Sequence, residues 1–402
     1  MKQTVSVSAG DPIRVRNEKR NAQRVIVAAT LYYPNIGGVE NSLYYLGQSY
    51  RKLGLRPWLF ASNGGTSEVA KECIQLSRRD RIPLLRYRFS SSALIRAIRA
   101  YIAFRLLISR REVAVVISRD QHSAVAATLL RLPCVYLVPG ITSLQHRPTG
   151  YNPLRWLNHL VAVALQRVAL RRVDSVAVFS EGMVRAVERE AGRRDVHHVL
   201  PGVDASRFHV VDEYTVRDRR RQLGINEESK LAICVGRFSR QKRFDLAIEA
   251  MARVPSNWHL ILVGDGPLRE ELETLIQRLG LENRVTITGK ISNPEYYLQM
   301  SDVFVLSSDY EPFGQVLIEA LACGLMVAAF DPSLPGVDTA TSEIVPVHWL
   351  AAADSLSGEA LAKAMEIAGS IVRDRAAVSK WTLNTFSWSA LAEELLRISG
   401  PA

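Results

Sequence analysis

The chain has 402 residues, which is enough for two domains of ordinary size, since one domain takes roughly 100–200 residues. Hydrophobic residues make up 48% and charged residues 23%, which is typical of a globular protein and excludes a disordered or fibrous one. No apolar run is long enough for a membrane-spanning helix, and the first twenty residues lack the apolar core of a signal peptide. The composition therefore favours a globular, cytoplasmic protein.

The two halves of the chain carry opposite net charge. Residues 1–200 hold 31 Lys and Arg against 13 Asp and Glu, whereas residues 201–402 hold 20 against 27. This split favours two domains with different partners. The basic half suits phosphate, an anionic membrane or nucleic acid, or is a solvated surface without a partner. We predict no nucleic-acid partner, because no RNA- or DNA-binding motif accompanies the charge.

The cysteines are scattered singly along the chain. None belongs to a CxxC pair or a Cys/His cluster, so a zinc site and a disulfide framework are both disfavoured. We predict buried free thiols in a reducing compartment. The four residues are Cys73, Cys134, Cys234 and Cys323.

The first half alternates short apolar strands with amphipathic helices. A strand begins at Arg24 and breaks at Pro34, and a helix is predicted over 39–54. Such alternation predicts a parallel sheet with helices on both faces. Further strands are predicted at 114–118, 134–138 and 175–180.

One predicted helix, over 92–111, has an apolar stripe beside a basic one. Such a helix either packs its apolar face on the sheet or lies on an anionic membrane. The apolar stripe, at helical spacing, is Ile95, Ile98, Ile102 and Leu106. The basic stripe is Arg96, Arg99 and Arg110.

The strand-and-helix pattern starts again at residue 231 and predicts a second doubly wound domain. Ligands of open parallel sheets bind outside the carboxyl ends of the strands, so two such domains would form a cleft there. The predicted strands are 231–237, 259–266, 285–289, 302–308 and 326–330, and the predicted helices are 243–253, 268–279 and 315–323. An amphipathic helix is predicted at the end, over 386–398.

The most specific pattern runs from Glu311 to Glu319, after the predicted strand 302–308, and reads EPFGQVLIE. The amides of Gly314, Gln315 and Val316 would be free donors at a helix N-terminus, which suits an anion. Two carboxylates around an anion site suit a sugar, whose hydroxyls donate hydrogen bonds to carboxylates.

A second pattern, GRFSRQK over 236–242, follows the first strand of the second domain. Arg237 and Lys242 bracket a short loop at the carboxyl end of that strand. A guanidinium fork and an ammonium together suit a diphosphate, although a basic pair in a loop is also commonly solvated. The neighbouring GDGP turn over 264–267 is interpreted as a strand-to-helix turn rather than a dinucleotide site, because Arg269 replaces the third glycine.

Together these patterns resemble the retaining glycosyltransferases of family 4, which have the GT-B fold. The E-x7-E spacing with its EPFG start is the most specific part of the resemblance, which extends over roughly 24–398. Other segments in family order are PNIGGVE (34–40), PGVD (201–204), VGDGP (263–267), SDVFVLSS (301–308) and FSW (386–388).

The resemblance implies an α/β fold of two doubly wound, Rossmann-like domains facing across a cleft. It implies a flexible arm over 1–23 and an acceptor-side domain over 24–203. A nucleotide-sugar-binding domain follows over 204–380, and a terminal helix over 381–402 returns to the first domain.

The resemblance also implies roles for individual residues. Arg237 and Lys242 would hold the diphosphate and stabilise its charge as it leaves. Glu311 would bind hydroxyls of the donor sugar, and these three residues form the predicted catalytic set. Glu319 would bind the ribose.

The remaining donor contacts implied by the resemblance come from backbone and loop residues. The backbone around Lys290 and Ile291 would contact the base. A first-domain loop containing Gly37 and Gly38 would close onto the diphosphate. The rest of the implied set is Gly236, Gly266, Phe313, Gly314, Gln315 and Val316.

The chain departs from the family pattern on the acceptor side. Many members carry a histidine in the loop that here begins at Pro139. Asp120, His122 and His146 are the candidates for an acceptor-side polar residue.

The predicted activity is metal-independent, retaining hexosyl transfer from a UDP- or GDP-sugar, with no cofactor. The predicted acceptor is a saccharide or lipid-linked saccharide of cell-surface polysaccharide or glycolipid synthesis. The enzyme would act in the cytoplasm, at the inner face of the cell membrane if the basic half contacts anionic lipid. A soluble small-molecule acceptor and a sugar-nucleotide epimerase are the open alternatives.

Overall fold

The computed structural model describes residues 24–29, 38–62, 82–87, 90–107, 113–145, 152–371 and 374–400. They form two compact units. The first holds the described residues up to Val178, then Val187–His197 and the chain from Ala392. The second holds Phe179–Ala186 and His198–Leu391. The predicted arm over 1–23 lies outside the described residues.

The division between the units differs from the single boundaries predicted near residues 203 and 380. Phe179 already packs on Phe313, with ring centroids 5.4 Å apart, and the Ser180 hydroxyl donates to the Pro312 carbonyl at 2.6 Å. These long-range contacts draw the segment after Val178 into the second unit. At the other end, the Ser175 hydroxyl donates to the Ile398 carbonyl at 2.6 Å within the first unit.

The first unit is built on a seven-stranded sheet in the order β3-β2-β1-β4-β5-β6-β7. Its central strands pair in parallel and are buried. The strands are β1 Arg24–Ala29, β2 Arg56–Ser62, β3 Leu84–Tyr87, β4 Val113–Ser118, β5 Cys134–Leu137, β6 Ser175–Val178 and β7 Val196–His198. The helices are α1 Gly38–Lys52, α2 Ala93–Leu107, α3 Gln121–Leu129, α4 Thr142–Gln145 and α5 Pro153–Arg172. Helix α6, Glu181–Ala191, begins in the second unit and ends in the first.

The second unit is built on a six-stranded parallel sheet in the order β10-β9-β8-β11-β13-β15, with a separate pair, β12-β14. Its strands are β8 Lys230–Val235, β9 Trp258–Val263, β10 Val285–Gly289, β11 Val303–Leu306, β12 Tyr310–Glu311, β13 Met326–Phe330, β14 Asp338–Thr339 and β15 Leu350–Ala353. Its helices are α7 Glu213–Gln222, α8 Phe244–Met251, α9 Arg269–Arg278, α10 Pro294–Met300, α11 Gln315–Ala322, α12 Thr341–Ile344, α13 Gly358–Ser370, α14 Arg375–Thr385 and α15 Trp388–Ile398, which ends in the first unit.

Both sheets have the doubly wound order, because the direction of winding reverses beside the first strand of each. In the second unit the reversal lies between β8 and β11, which is where parallel α/β sheets bind ligands. The apolar runs MVAAF and VFVL form fully buried strands there, as a sheet covered on both faces requires.

No helix in the described part of the chain is long and apolar enough to span a bilayer. Three of the cysteines predicted as buried free thiols are found so, namely Cys134, Cys234 and Cys323. Cys73 lies outside the described residues.

Candidate active site

The loop after β8 is held against the loop after β9. The Gly236 amide donates to the Val263 carbonyl and the Phe238 amide to the Asp265 carbonyl, both at 2.9 Å. A Cβ on Gly264 would lie 1.9 Å from the Gly236 carbonyl oxygen, so only glycine allows the two backbones to approach this closely. The GDGP turn thus packs against the 236–242 loop.

Lys242 and Glu311 form an ion pair between two strand-end loops, and both side chains are largely buried. Lys242 ends a short 3-10 turn over Arg240–Lys242. The Ser307 hydroxyl donates to the Lys242 carbonyl at 2.7 Å, and the Asp309 amide donates to the Gln241 carbonyl at 3.1 Å. The basic loop and the EPFG segment, predicted separately from the sequence, are therefore in direct contact.

The backbone of Glu311 is fixed by the short strand pair β12-β14, in which Glu311 lies opposite Thr339. The Ala340 amide donates to the Glu311 carbonyl at 3.1 Å, and the Asp338 amide to the Asp309 carbonyl at 2.7 Å. Neither the role of Ser307 nor strand β14 was predicted from the sequence. Ser307 could have been predicted as a site residue, because it is a polar residue directly after a buried strand. Strand β14 could not, because two residues are too few to show a strand pattern.

Gly314 starts helix α11 with a φ of 81°, a conformation that favours glycine. A Cβ there would lie 3.0 Å from the Glu311 side chain. The amides of Gly314, Gln315 and Val316 belong to the helix N-terminus, where no intrahelical acceptor exists. The Gln315 side chain donates to the Gly202 carbonyl at 2.9 Å, so it also ties the PGVD segment to this helix start.

Glu319 lies about one turn further along α11, partly buried and without a hydrogen-bond donor among the described residues. Burial raises the pKa of this carboxyl to about 8. The positive charge of Arg207 lowers the pKa of Glu319, but Arg207 is paired with Glu295 at 2.6 Å. The negative charges of Glu295 and Asp204 raise the pKa further. Because no described protein group donates to it, this carboxyl is available to accept hydrogen bonds from ligand hydroxyls.

The other predicted donor-binding residues of the second unit lie on the neighbouring strand ends. Arg237 is exposed, and no ion-pair partner for it exists in the part of the chain that the structure describes. The Gly289 carbonyl accepts from the Gly264 amide at 3.1 Å, so Lys290 and Ile291 follow β10 directly beside the β9 loop. Gly266 lies against the backbone of Phe238.

Two of the predicted acceptor-side residues, Asp120 and His122, lie in the first unit. Asp120 caps helix α3, accepting from the amides of His122 and Ser123 at 2.8 and 2.9 Å, and both Asp120 and His122 are buried. His122 accepts from Arg96 on one ring nitrogen at 3.3 Å and contacts Asp120 with the other at 3.2 Å. Burial opposes the charge of Asp120, but the bonds from His122 and Ser123 lower its pKa overall.

Three of the predicted positions, Gly37, His146 and Arg110, lie outside the described residues. Gly38 is the first residue of helix α1. Arg96, predicted in the basic stripe of 92–111, is partly exposed, and its guanidinium donates to the Ser90 and Ser91 carbonyls at 2.8 and 3.0 Å.

A cavity of about 530 Å³ lies in the second unit behind the 3-10 turn, between helices α8 and α9. Arg243 and Asp309 line it, but Arg237, Lys242, Glu311 and Glu319 do not. These four predicted donor residues are therefore not part of this cavity.

Two family models match adjoining parts of the chain. The model of "Glycosyltransferase Family 4" matches residues 36–207, and that of "Glycosyl transferases group 1" matches residues 215–367. The chain belongs to glycosyltransferase family 4. The resemblance stated from the E-x7-E segment is thereby confirmed.

Curated relatives of this family 4 protein match it over part of their length. N-acetyl-alpha-D-glucosaminyl L-malate synthase of Bacillus anthracis is 31% identical over 42% of this chain and 43% of its own. N-acetylgalactosamine-N,N'-diacetylbacillosaminyl-diphospho-undecaprenol 4-alpha-N-acetylgalactosaminyltransferase of Campylobacter jejuni is 38% identical over 26% of this chain and 28% of its own. The chain thus matches less than half the length of either relative.

Among solved structures, HepE of Anabaena in complex with UDP and glucose superposes with a TM-score of 0.73. It shares 21% identity over 93% of this chain and 98% of its own. The likeness shows the fold. The predicted GT-B fold, made of two Rossmann-like domains, is confirmed.

Proposed function

We propose that this family 4 protein transfers a hexosyl group from a UDP- or GDP-sugar to a saccharide or lipid-linked saccharide, with retention of configuration and without a metal. The observation that carries the proposal is the contact between Lys242 and Glu311, at the switch point of the second sheet. A cation, a carboxylate and the start of helix α11 converge there. This is the chemistry that a diphosphate joined to a sugar requires.

Each group in this site has a part in the proposed reaction. Arg237, Lys242 and the amides at the start of α11 stabilise the negative charge that grows on the diphosphate as it leaves. Preorganised positive potential of this kind is commonly the largest catalytic contribution. Glu311 and Glu319 accept hydrogen bonds from sugar and ribose hydroxyls. The base contacts the backbone at Lys290 and Ile291.

The proposed reaction needs neither a protein nucleophile nor a metal ion. The bond between the anomeric carbon and the diphosphate oxygen breaks, and the acceptor oxygen forms the new bond on the same face of the sugar. The acceptor proton passes to the departing phosphate oxygen. The site supplies charge and orientation, which together account for large rate enhancements.

The acceptor is proposed from charge and from the relatives. The excess of basic residues in the first half suits an acceptor that carries phosphate at the inner face of the cell membrane. The diphospho-undecaprenol named in the Campylobacter relative supports this class, and the UDP bound to HepE supports the donor class. The malate named in the Bacillus relative favours a second candidate, a soluble small-molecule acceptor.

The proposal is tested by incubating the protein in EDTA with UDP- and GDP-hexoses, adding a polyprenyl-diphosphate-linked saccharide or a soluble saccharide. Mass spectrometry of each acceptor and NMR of the new linkage give the product and its anomeric configuration. Transfer in EDTA with the donor's configuration supports the proposal. An epimerised donor formed without acceptor identifies an epimerase instead, and transfer only after metal is added overturns the metal-independent mechanism.

A further inference from the structure

Helix α2 of the first unit has two apolar faces, and only one of them is covered. The buried face consists of Ala93, Ala97, Ala100 and Phe104. The opposite face consists of Ile95, Ile98, Ile102 and Leu106, whose side chains are 42 to 76% exposed. At about 100° per residue the two sets point in opposite directions. The helix packs on the sheet through the alanine face, where Phe104 lies against Phe60 with ring centroids 4.3 Å apart, and the isoleucine stripe does not take part in this packing.

Helix α5 continues this surface. It packs beside α2, and the Asn158 side chain accepts from the Ala93 amide at 2.7 Å, which fixes the start of α2 against α5. Leu154, Leu157 and Leu160 recur every three residues on α5 and are 59 to 77% exposed. Trp156 is also exposed. Two adjoining helices thus present long apolar side chains to solvent, and clustered exposed apolar side chains are typical of an interaction surface.

The charged side chains of these two helices are all basic. Together they contain seven arginines and no aspartate or glutamate. Arg105 and Arg99 lie on the two sides of the isoleucine stripe of α2, and Arg155 lies in the first turn of α5. An apolar stripe bordered by arginines, with an interfacial tryptophan and no acidic residue, matches a bilayer surface that is apolar below and anionic at the headgroups.

We propose that the apolar stripes of α2 and α5, with their bordering arginines, dock this protein on an anionic membrane. The helices lie in the headgroup region, since neither is apolar enough to cross the bilayer. Ile95, Ile98 and Ile102 enter the acyl boundary, while the guanidinium of Arg105 contacts lipid phosphates. This rests on the proposed function only in that docking brings the enzyme to a lipid-linked acceptor.

The test is sedimentation of the full-length protein with vesicles of phosphatidylglycerol and phosphatidylcholine in equal parts, or of phosphatidylcholine alone. The wild type should bind the anionic vesicles, and about 0.5 M NaCl should weaken the binding because salt screens the arginines. Ile95→Ser, Ile98→Ser and Ile102→Ser combined should weaken vesicle binding by about tenfold or more. Replacing Arg105 and Arg155 by Gln should weaken binding to anionic vesicles only.

Val347→Ser with Ile367→Ser is the matched control, because both side chains are exposed in the second unit, at 85 and 55%. This control should bind vesicles like the wild type. Triple-serine protein that binds like the wild type overturns the proposal, as does equal wild-type binding to both vesicle types. A wild-type dimer that the triple variant converts to a monomer, without vesicle binding by either, assigns the surface to a second copy instead.

Failure of the docking surface and failure of the proposed function are distinguishable in the same samples. Calorimetric titration with UDP reports the donor site in the second unit, which these substitutions leave untouched. UDP binding without vesicle binding overturns the docking surface alone. Vesicle binding without binding of any nucleotide sugar overturns the donor site alone.

Discussion

Lys242 and Glu311 are in contact across the loops that follow two adjacent strands of the second sheet, β8 and β11. The pair brings together an ammonium and a carboxylate that bind different parts of the proposed donor. In the free protein each neutralises the other, so neither is a buried, uncompensated charge. Under the proposed function, the diphosphate and the hydroxyls of the donor take over these interactions.

Replacing Lys242 by Ala should lower kcat by about 10²–10³-fold, the usual cost of one preorganised charge-stabilising donor. The fold should persist, because the Ser307 and Asp309 bonds to this loop use backbone carbonyls. Steady-state rates and thermal unfolding of the same preparation measure both. Arg240→Ala is the matched control, a cation of the same 3-10 turn that lines the cavity behind it, and its rate should stay near that of the wild type.

Glu311→Gln should retain the side-chain shape but lose the charge that pairs with Lys242. The amide oxygen still accepts hydrogen bonds from sugar hydroxyls, so we expect a smaller loss of rate than for Glu311→Ala. Some loss remains, because the neutral amide no longer pairs with the ammonium of Lys242. Comparing kcat for the two variants measures the contribution of the charge. Equal, wild-type rates in both variants would exclude Glu311 from the site.

The raised pKa of Glu319, about 8, predicts that protons are released when the donor binds near neutral pH. Ribose hydroxyls donate to the carboxylate, so binding favours its ionised form. Calorimetric titration of UDP at pH 7 in two buffers of different ionisation enthalpy counts the protons. Wild type should release up to about one more proton than Glu319→Gln. Identical proton counts in the two proteins would show that Glu319 does not meet the ligand as a carboxylate.

The same pKa sets a stability window. The carboxyl binds its proton more tightly in the folded state than in the unfolded state. Its contribution to the free energy of unfolding is therefore fully present below pH 4.5 and is lost as the pH rises towards 8. Glu319→Gln removes this loss. The variant should therefore gain thermal stability relative to the wild type at pH 8.5 and show a smaller difference at pH 5, as followed by unfolding temperature. A difference that does not change with pH would contradict the burial of this group.

Arg243 is held with a φ of 46°, which is unfavourable for a side chain larger than glycine. Its guanidinium pairs with Asp245 at 3.1 Å and with Asp309 at 3.8 Å. Arg243→Ala keeps the strained backbone and loses both ion pairs, so it should lower the unfolding temperature. Arg243→Gly loses the ion pairs but relieves about 1–2 kcal/mol of strain, so it should be the more stable of the two. The opposite order in thermal unfolding would show that the strain is not real.

Local patterns were enough to predict the central strands of both sheets. The runs VTITG and MVAAF are strands β10 and β13 at the predicted residues. MVAAF is buried throughout, as an unbroken apolar run predicts for a strand covered on both faces. The predicted strand 302–308 is shorter in the structure, Val303–Leu306, and the hydroxyl of Ser307 just after it donates to the Lys242 carbonyl. The transfer of Phe179–Ala186 to the second unit depends on contacts with residues far along the chain, which periodicity does not contain.

In the candidate site, too, local patterns predicted the loops but not the contacts between distant residues. The two loops that carry Lys242 and Glu311 could be predicted, because each follows a strand and each has a distinctive composition. The pairing of Glu311 with Thr339 and the orientation of the isoleucines on α2 could not. Helix α2 is apolar on two sides, so its sequence fits either direction, and only the packing of Ala97 and Phe104 decides it.

The central claim is that the second unit binds a nucleoside diphosphate sugar at Lys242, Glu311 and Glu319 without a metal. It is tested most directly by thermal unfolding in EDTA with UDP-, GDP- and ADP-sugars, for the wild type and for Glu319→Ala. A donor at 100 times its dissociation constant should stabilise the fold by about 2.7 kcal/mol. We predict a rise in unfolding temperature with a UDP- or GDP-sugar that is lost in Glu319→Ala. A rise of the same size in the variant, or one that requires added metal, would contradict the account.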